Sequence, residues 1–140
     1  MSRLFRETDP AKASAIVDRL EAGSSWIETA KSFEVEPIDV ALSLAFDALA
    51  EESGASLPLV QSSPKRPRLL PALLESALAS ISKTPGRPAL SAGLLQIFDF
   101  WDESHKAAQF ADDLGETDFS AYWHGIAHRR EPDPGNASYW

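Results

Sequence analysis

The chain has 140 residues, a formal net charge of −8 and no cysteine. Without cysteine it cannot form disulfides, cysteine-ligated zinc sites or iron–sulfur clusters, and it cannot use a thiol nucleophile. The negative charge disfavours non-specific binding to nucleic acid or to anionic lipid, because both are polyanions.

Hydrophobic residues make up 44% of the chain and charged residues 24%, which is typical of a folded globular protein. This length corresponds to one compact domain or to two small ones that share a core. No stretch approaches the roughly 18 uninterrupted apolar residues of a membrane-spanning helix. The first ten residues lack the apolar segment of a secretory signal, so we expect a cytoplasmic location and no membrane association.

Residues 1–54 are predicted to form three short helices. Apolar residues recur three and four positions apart through this region, as in helices with one buried face. The local signals are an N-cap followed by proline, a glycine C-cap, a serine N-cap and a proline that starts the third helix: Asp9, Pro10, Gly23, Ser24 or Ser25, and Pro37. We therefore predict a tri-helical N-terminal unit.

Residues 55–69 contain three prolines and three serines, which predicts an irregular connector. The connector includes the one basic run of the chain, Lys65-Arg66-Pro67-Arg68. We interpret this run as part of a solvated linker, because it is too short to argue for a localisation signal.

Residues 70–140 are predicted to form a second unit of three helices. The first begins at Pro71, and a longer one covers roughly 89–113. The last is capped by Thr117 and ends at Arg130, because the prolines that follow forbid its continuation. No segment shows the period-2 alternation of strands, so the predicted fold is an all-α helical bundle.

The run 25–45 (SWIETAKSFEVEPIDVALSLA) resembles the helix-turn-helix pattern of small bacterial regulators and antitoxin-type domains. Apolar residues stand where two crossing helices pack: Ile27, Ala30, Val35 and Val40. The turn carries Glu34 where such motifs usually place glycine. The resemblance implies a transcriptional regulator of antitoxin type.

The charge of this region argues against DNA binding. There is no Lys or Arg between Lys31 and Lys65, and the presumed recognition helix carries Glu36, Asp39 and Asp47. A recognition helix needs cations or amides to reach base edges and phosphates. We therefore expect the N-terminal helices to associate with a second copy of the chain or with a protein partner.

All three histidines lie in the C-terminal part of the chain. His124 and His128 are spaced i, i+4, so both imidazoles leave one face of a helix. His105 lies on the preceding helix, beside the carboxylates Asp102 and Glu103. An antiparallel pair of these helices would bring such groups, or Glu131, to one ion, and the donor set suits Zn²⁺, Fe²⁺ or Ni²⁺.

A structural role for the histidines is the alternative. The predicted apolar stripe of the last helix consists of Phe119, Tyr122, Trp123 and Ile126, and His124 and His128 point away from it. The two histidines are then either exposed to solvent or face a close neighbour, which the small residues Ala121, Gly125 and Ala127 would admit. His105 falls on a core-facing stripe, as a hydrogen-bonded core histidine would. A zincin-like protease is excluded, because Gly125 follows His124 where that motif has glutamate.

The segment 122–140 (YWHGIAHRREPDPGNASYW) resembles a motif, HGI-x-HRREPD-x-x-NA-x-YW, of a family of uncharacterised bacterial proteins. The upstream run 101–105 (WDESH) is similar to a second block of that family. The resemblance implies membership without an activity. In that family the motif continues past the YW pair, so we expect relatives to extend beyond Trp140.

This polar tail has two interpretations. It is a rigid corner, in which acidic residues pair with arginines at the end of a helix, or it is a pocket in which arginines bind an anion and histidines transfer protons. The candidate ligand-binding residues are Trp123, Arg129, Arg130, Glu131, Asp133 and Asn136.

Three functions follow in order of preference. The first is a cytoplasmic helical module that binds a protein or a ligand through this polar site. The alternative is a metal-binding protein or metal-dependent enzyme that uses the three histidines, and the antitoxin-type regulator comes third. No phosphate-binding loop or serine nucleophile motif occurs, so nothing indicates a nucleotide cofactor or a particular catalytic residue.

Overall fold

The computed structural model describes residues 9–51, 60–78, 86–131 and 134–139. Throughout these ranges the regular structure is helical and contains no strand, which confirms the predicted all-α bundle. The helices are α1 (Pro10–Glu21), α2 (Trp26–Ser32), α3 (Pro37–Glu51), α4 (Leu70–Leu78), α5 (Gly86–Ile97), α6 (Trp101–Asp113), α7 (Phe119–Arg130) and α8 (Pro134–Ala137). None of these helices is both long enough and apolar enough to cross a membrane.

The N-terminal helices begin where their local signals predict. The carboxylate of Asp9 accepts a hydrogen bond from the Ala11 N–H at 3.0 Å, and Gly23 follows α1 with a φ of 95°. Ser25 and Glu28 form a capping box, in which each side chain accepts a hydrogen bond from the other residue's backbone N–H at 3.2 Å. Caps of this kind depend on neighbours in sequence, which is why the sequence predicts them.

The connection between α2 and α3 uses a left-handed residue. Glu34 has a φ of 52°, the conformation in which glycine is most readily accommodated. The Val35 N–H donates to the Ala30 carbonyl at 3.0 Å, which closes the end of α2. Glu34 therefore adopts the left-handed backbone conformation that glycine usually provides in such a turn.

The single long helix expected over 89–113 is wrong, because α5 ends at Ile97 and α6 begins at Trp101. Asp99 has a φ of 66°. The Phe100 N–H donates to the Leu95 carbonyl at 2.8 Å, and the Asp99 N–H donates to the Gln96 carbonyl at 3.1 Å. These two bonds form a Schellman motif, which terminates α5 and redirects the chain into α6.

The predicted cap of the last helix is also wrong. The N-cap of α7 is Asp118 rather than Thr117, and its side chain makes no capping bond. The carboxylate of Glu116 instead accepts hydrogen bonds from the backbone N–H groups of Asp118, Phe119 and Ser120, at 3.2, 2.9 and 2.6 Å. A carboxylate at this position also complements the positive end of the helix dipole.

One hydrophobic core joins the N-terminal and C-terminal helices. Its fully buried members include Leu20, Leu44, Leu73, Leu95 and Ala108. The expectation of a solvated basic run is wrong for Arg66, whose guanidinium lies 2.8 Å from Asp47 and 3.4 Å from Glu21. These ion pairs attach the connector to α1 and α3.

Candidate metal centre

The three histidines converge where α6 packs against α7. His105 lies on α6, and His124 and His128 lie one turn apart on α7. The Nε2 atom of His105 is 2.8 Å from Nε2 of His124 and 3.3 Å from Nε2 of His128. One ring nitrogen from each residue lies within 4.8 Å of one from each of the others. Of the ligands proposed from the sequence, the structure thus brings together the three histidines.

Of the two placements expected for His124 and His128, the structure shows the one against a close neighbour, and the solvent-exposed one is wrong. These histidines are 2% and 7% exposed, whereas Phe119 and Tyr122 on the predicted apolar stripe are 66% and 60% exposed. Helix α7 is therefore turned so that its histidine face points inward. The residues that share this inward face are small and let neighbouring helices approach closely: Ser120, Gly125 and Ala127.

Two tryptophans hold the helices around the site. The indole of Trp101 stacks on His105, with ring centroids 5.5 Å apart, and its N–H donates to the Ala127 carbonyl at 2.8 Å. Trp123, a candidate ligand-binding residue, packs against α5 at Gly93. A Cβ atom added to Gly93 would lie 2.5 Å from the Trp123 ring, so the contact requires glycine.

The close approach of three ring nitrogens cannot be satisfied by hydrogen bonds within the cluster alone. Each Nε2 atom of a neutral imidazole carries either one hydrogen or one lone pair. Nε2 of His105 has two nitrogen neighbours, so a single hydrogen or lone pair there can serve only one of them. Tetrahedral zinc with N–metal bonds of 2.0–2.1 Å separates its nitrogen ligands by about 3.3 Å, close to the spacing of this cluster.

The protonation state of the cluster suits a cation. Burial, followed by the neighbouring His105 and His128, lowers the pKa of His124 to about 4. Burial also lowers the pKa of His105, with His128 as the next cause. Near neutral pH these two rings are therefore uncharged, which is the form in which imidazole ligates a metal.

Glu131 orients one of the three rings. Its Oε2 atom lies 3.0 Å from Nδ1 of His128, three residues earlier in the chain. When Nδ1 of His128 carries the hydrogen and donates it to this carboxylate, the lone pair of the ring is on Nε2, toward His105. The sequence includes Glu131 among the ligand-binding candidates, and the i, i+3 spacing is the signal that links it to His128.

Two proposed metal ligands do not join the cluster. Asp102 is exposed and Glu103 is half-buried, and neither belongs to the group of ring nitrogens within 4.8 Å. Both precede His105 on α6 by less than one turn. Asp102 acts on the site through charge, since it raises the pKa of His105 against the larger effect of burial.

The two candidate arginines of the polar tail lie in different surroundings. Arg130 is buried, and its guanidinium donates to the Asp99 carboxylate at 2.5 Å and to Oε1 of Gln96 at 2.6 Å. Arg129 and Asn136 are exposed, and Asp133 lies outside the described residues. Arg130 thus pairs with the residue that terminates α5, and the expected pairing with Asp133 lies outside the described residues.

Arg130 and Asp99 belong to a buried hydrogen-bond network whose other members were not predicted from the sequence. Ser62 donates to the second carboxylate oxygen of Asp99 from both its backbone N–H and its hydroxyl, the former at 3.1 Å. The carbonyl of Val60 also accepts a bond from Arg130 at 3.4 Å. No local pattern connects these residues, because they come from segments more than thirty positions apart.

The described site thus offers three imidazoles from two helices and one carboxylate that is hydrogen-bonded to one of them. Such a donor set suits Zn²⁺, Fe²⁺ or Ni²⁺. Comparison of the chain with protein-family models, with curated proteins and with solved structures found no match, so its function is argued from this geometry.

Proposed function

We propose that this protein binds one divalent transition-metal ion through His105, His124 and His128. The observation that carries the proposal is the convergence of three ring nitrogens from two helices, with His105 Nε2 at 2.8 and 3.3 Å from the other two. Hydrogen bonding within the cluster leaves one of these contacts unsatisfied, whereas a cation accepts a lone pair from each ring.

The surroundings of the cluster support the same proposal. Metal-ligating histidines almost always donate their second ring nitrogen to a carboxylate, a carbonyl or water, and Glu131 stands at that position beside His128. Trp101 stacks on His105 and is itself held by a hydrogen bond to the backbone of α7. Two of the three rings thus have a contact that limits their rotation, so less ordering is required when the ion binds.

Neutral imidazoles select the kind of ion. They suit zinc, iron and nickel and bind magnesium or calcium poorly, because those ions prefer oxygen ligands. We therefore expect one equivalent of Zn²⁺ or Ni²⁺ to bind at neutral pH and Mg²⁺ to compete weakly.

The experiment is a metal-binding measurement on protein that carries no histidine tag. The protein is stripped with a chelator, and Zn²⁺ is then titrated against a chromophoric competitor. We expect a stoichiometry of one, and a loss in His105→Ala larger than the roughly 10–100-fold that removal of an orienting partner costs. Gln109→Ala is the matched control, because Gln109 lies on the exposed face of the same helix.

Circular dichroism of both variants shows whether the helices remain formed. Wild-type protein that binds no zinc, or a His105→Ala variant that binds it as tightly as the wild type, would overturn the proposal. His124→Ala serves as a second variant from the other helix, with the same expected loss of affinity.

A further inference from the structure

We infer that the metal ion held by the three histidines keeps an open coordination position, which binds water or a small anion through one oxygen or nitrogen atom. This inference rests on the proposed function and adds the class of ligand to it. It distinguishes a site that can exchange ligands with solvent from a closed site that only stabilises the fold.

The number of protein ligands indicates that the ion keeps an open coordination position. Within the described ranges, the group of metal-ligating side chains contains the three histidines and no fourth member. Zinc in proteins takes four ligands in closed structural sites, and three protein ligands plus an exchangeable one in open sites. Nickel and iron accept more ligands than zinc, so for them further positions would remain.

The histidine cluster lies near solvent on one side. His124 and His128 are buried, but His105 is half-buried, and so is the Trp101 ring that stacks on it. The side chain of Glu131, hydrogen-bonded to His128, is 35% exposed. The cluster therefore has one side that faces the interior of the bundle and one side near solvent, from which a small ligand can enter.

The charge of the donor set favours an anion at the open position. Three neutral imidazoles leave the double positive charge of the ion undiminished. The carboxylates that act on the histidines electrostatically are Glu131, Asp102 and Asp112, and none of them belongs to the ligand group. An anion that binds the ion directly gains more from its charge than it loses to these carboxylates, because they are farther from it.

Cobalt provides the test, since Co²⁺ replaces zinc at nitrogen sites and its visible absorption reports the ligands around it. The protein is loaded with one equivalent of Co²⁺ and titrated with sodium azide, with sodium chloride at equal ionic strength as the control. We expect a saturable one-site change in the visible spectrum with azide. A spectrum that azide leaves unchanged while cobalt stays bound would overturn the inference and leave the proposed function standing.

A second variant addresses the segment outside the described residues. Asp133 lies there, two positions after Glu131, and its carboxylate is the nearest candidate in sequence for a fourth ligand. We expect Asp133→Asn to bind azide like the wild type. Azide binding that appears only in this variant would show a closed site and overturn the inference. Failure to acquire any cobalt spectrum would instead overturn the proposed function itself.

Discussion

The guanidinium of Arg130 lies 2.5 Å from the carboxylate of Asp99, and the two side chains are 4% and 1% exposed. Asp99 is the left-handed residue between α5 and α6, and Arg130 is the last residue of α7. The ion pair therefore connects the start of the helix that carries His105 to the end of the helix that carries His128. It joins the two helices at this end, in addition to the hydrogen bond from Trp101 to Ala127 and the contacts among the histidines.

Replacement of Arg130 by methionine should destabilise the protein strongly. The substitution leaves the Asp99 carboxylate buried without its cation, which costs about 3–5 kcal/mol in other buried pairs. Urea unfolding followed by circular dichroism measures the free energy of unfolding. Arg129→Met is the control, because Arg129 is exposed and its loss should change stability by less than about 0.5 kcal/mol. Equal unfolding midpoints for the two variants would contradict a structural role for the pair.

Replacement of Gly93 by alanine should disturb the packing of α7 on α5. The added Cβ atom would lie 2.5 Å from the Trp123 ring, and overpacking of this kind costs about 1–3 kcal/mol. We expect a lower unfolding midpoint together with a shifted tryptophan emission. Gly86→Ala is the matched control on the same helix, since nothing lies within 4 Å of a Cβ atom there. An unchanged unfolding midpoint in Gly93→Ala would contradict this prediction, because it would show that α7 can move away from α5 without loss of stability.

The metal-free protein should lose stability as the pH falls below about 6.5. Burial lowers the pKa of His124 from 6.5 to about 4 in the folded chain, so the unfolded chain binds more protons between these values. Stability that depends on the neutral ring is complete above pH 6.5 and declines as the pH approaches 4. Thermal unfolding across this range in the presence of a chelator, compared with His124→Gln, measures the effect. The variant should show a shallower pH dependence, and equal slopes would contradict the assignment to His124.

Replacement of Glu131 by glutamine should weaken metal binding without unfolding the protein. The neutral amide is a poorer acceptor for the Nδ1 hydrogen of His128, and loss of such an orienting carboxylate costs about 10–100-fold in affinity. Zinc competition titrations measure the affinity, and the melting temperature of the metal-free variant reports its fold. Glu103→Gln is the control, because Glu103 is a carboxylate near the site that does not belong to the ligand group. Equal affinities for the two variants would show that Glu131 does not orient His128.

Features that depend on a few neighbouring residues can be predicted from the sequence alone. The starts of α1, α2 and α3 follow from Asp9, Ser25 and Pro37, because a cap or a first-turn proline acts within one helical turn. The i, i+4 spacing of His124 and His128 likewise places both rings on one face of α7.

Tertiary contacts, by contrast, set where α5 ends and which face of α7 is buried. The apolar periodicity runs on through Asp99, and its left-handed turn is accompanied by an ion pair with Arg130, thirty-one positions later. Likewise, Phe119 and Tyr122 indicate an apolar face, yet α7 buries His124 and His128, because small residues on that side allow close packing and His105 supplies polar partners. The burial of a polar side chain depends on what a distant segment brings to it, and periodicity within one helix carries no information about that segment.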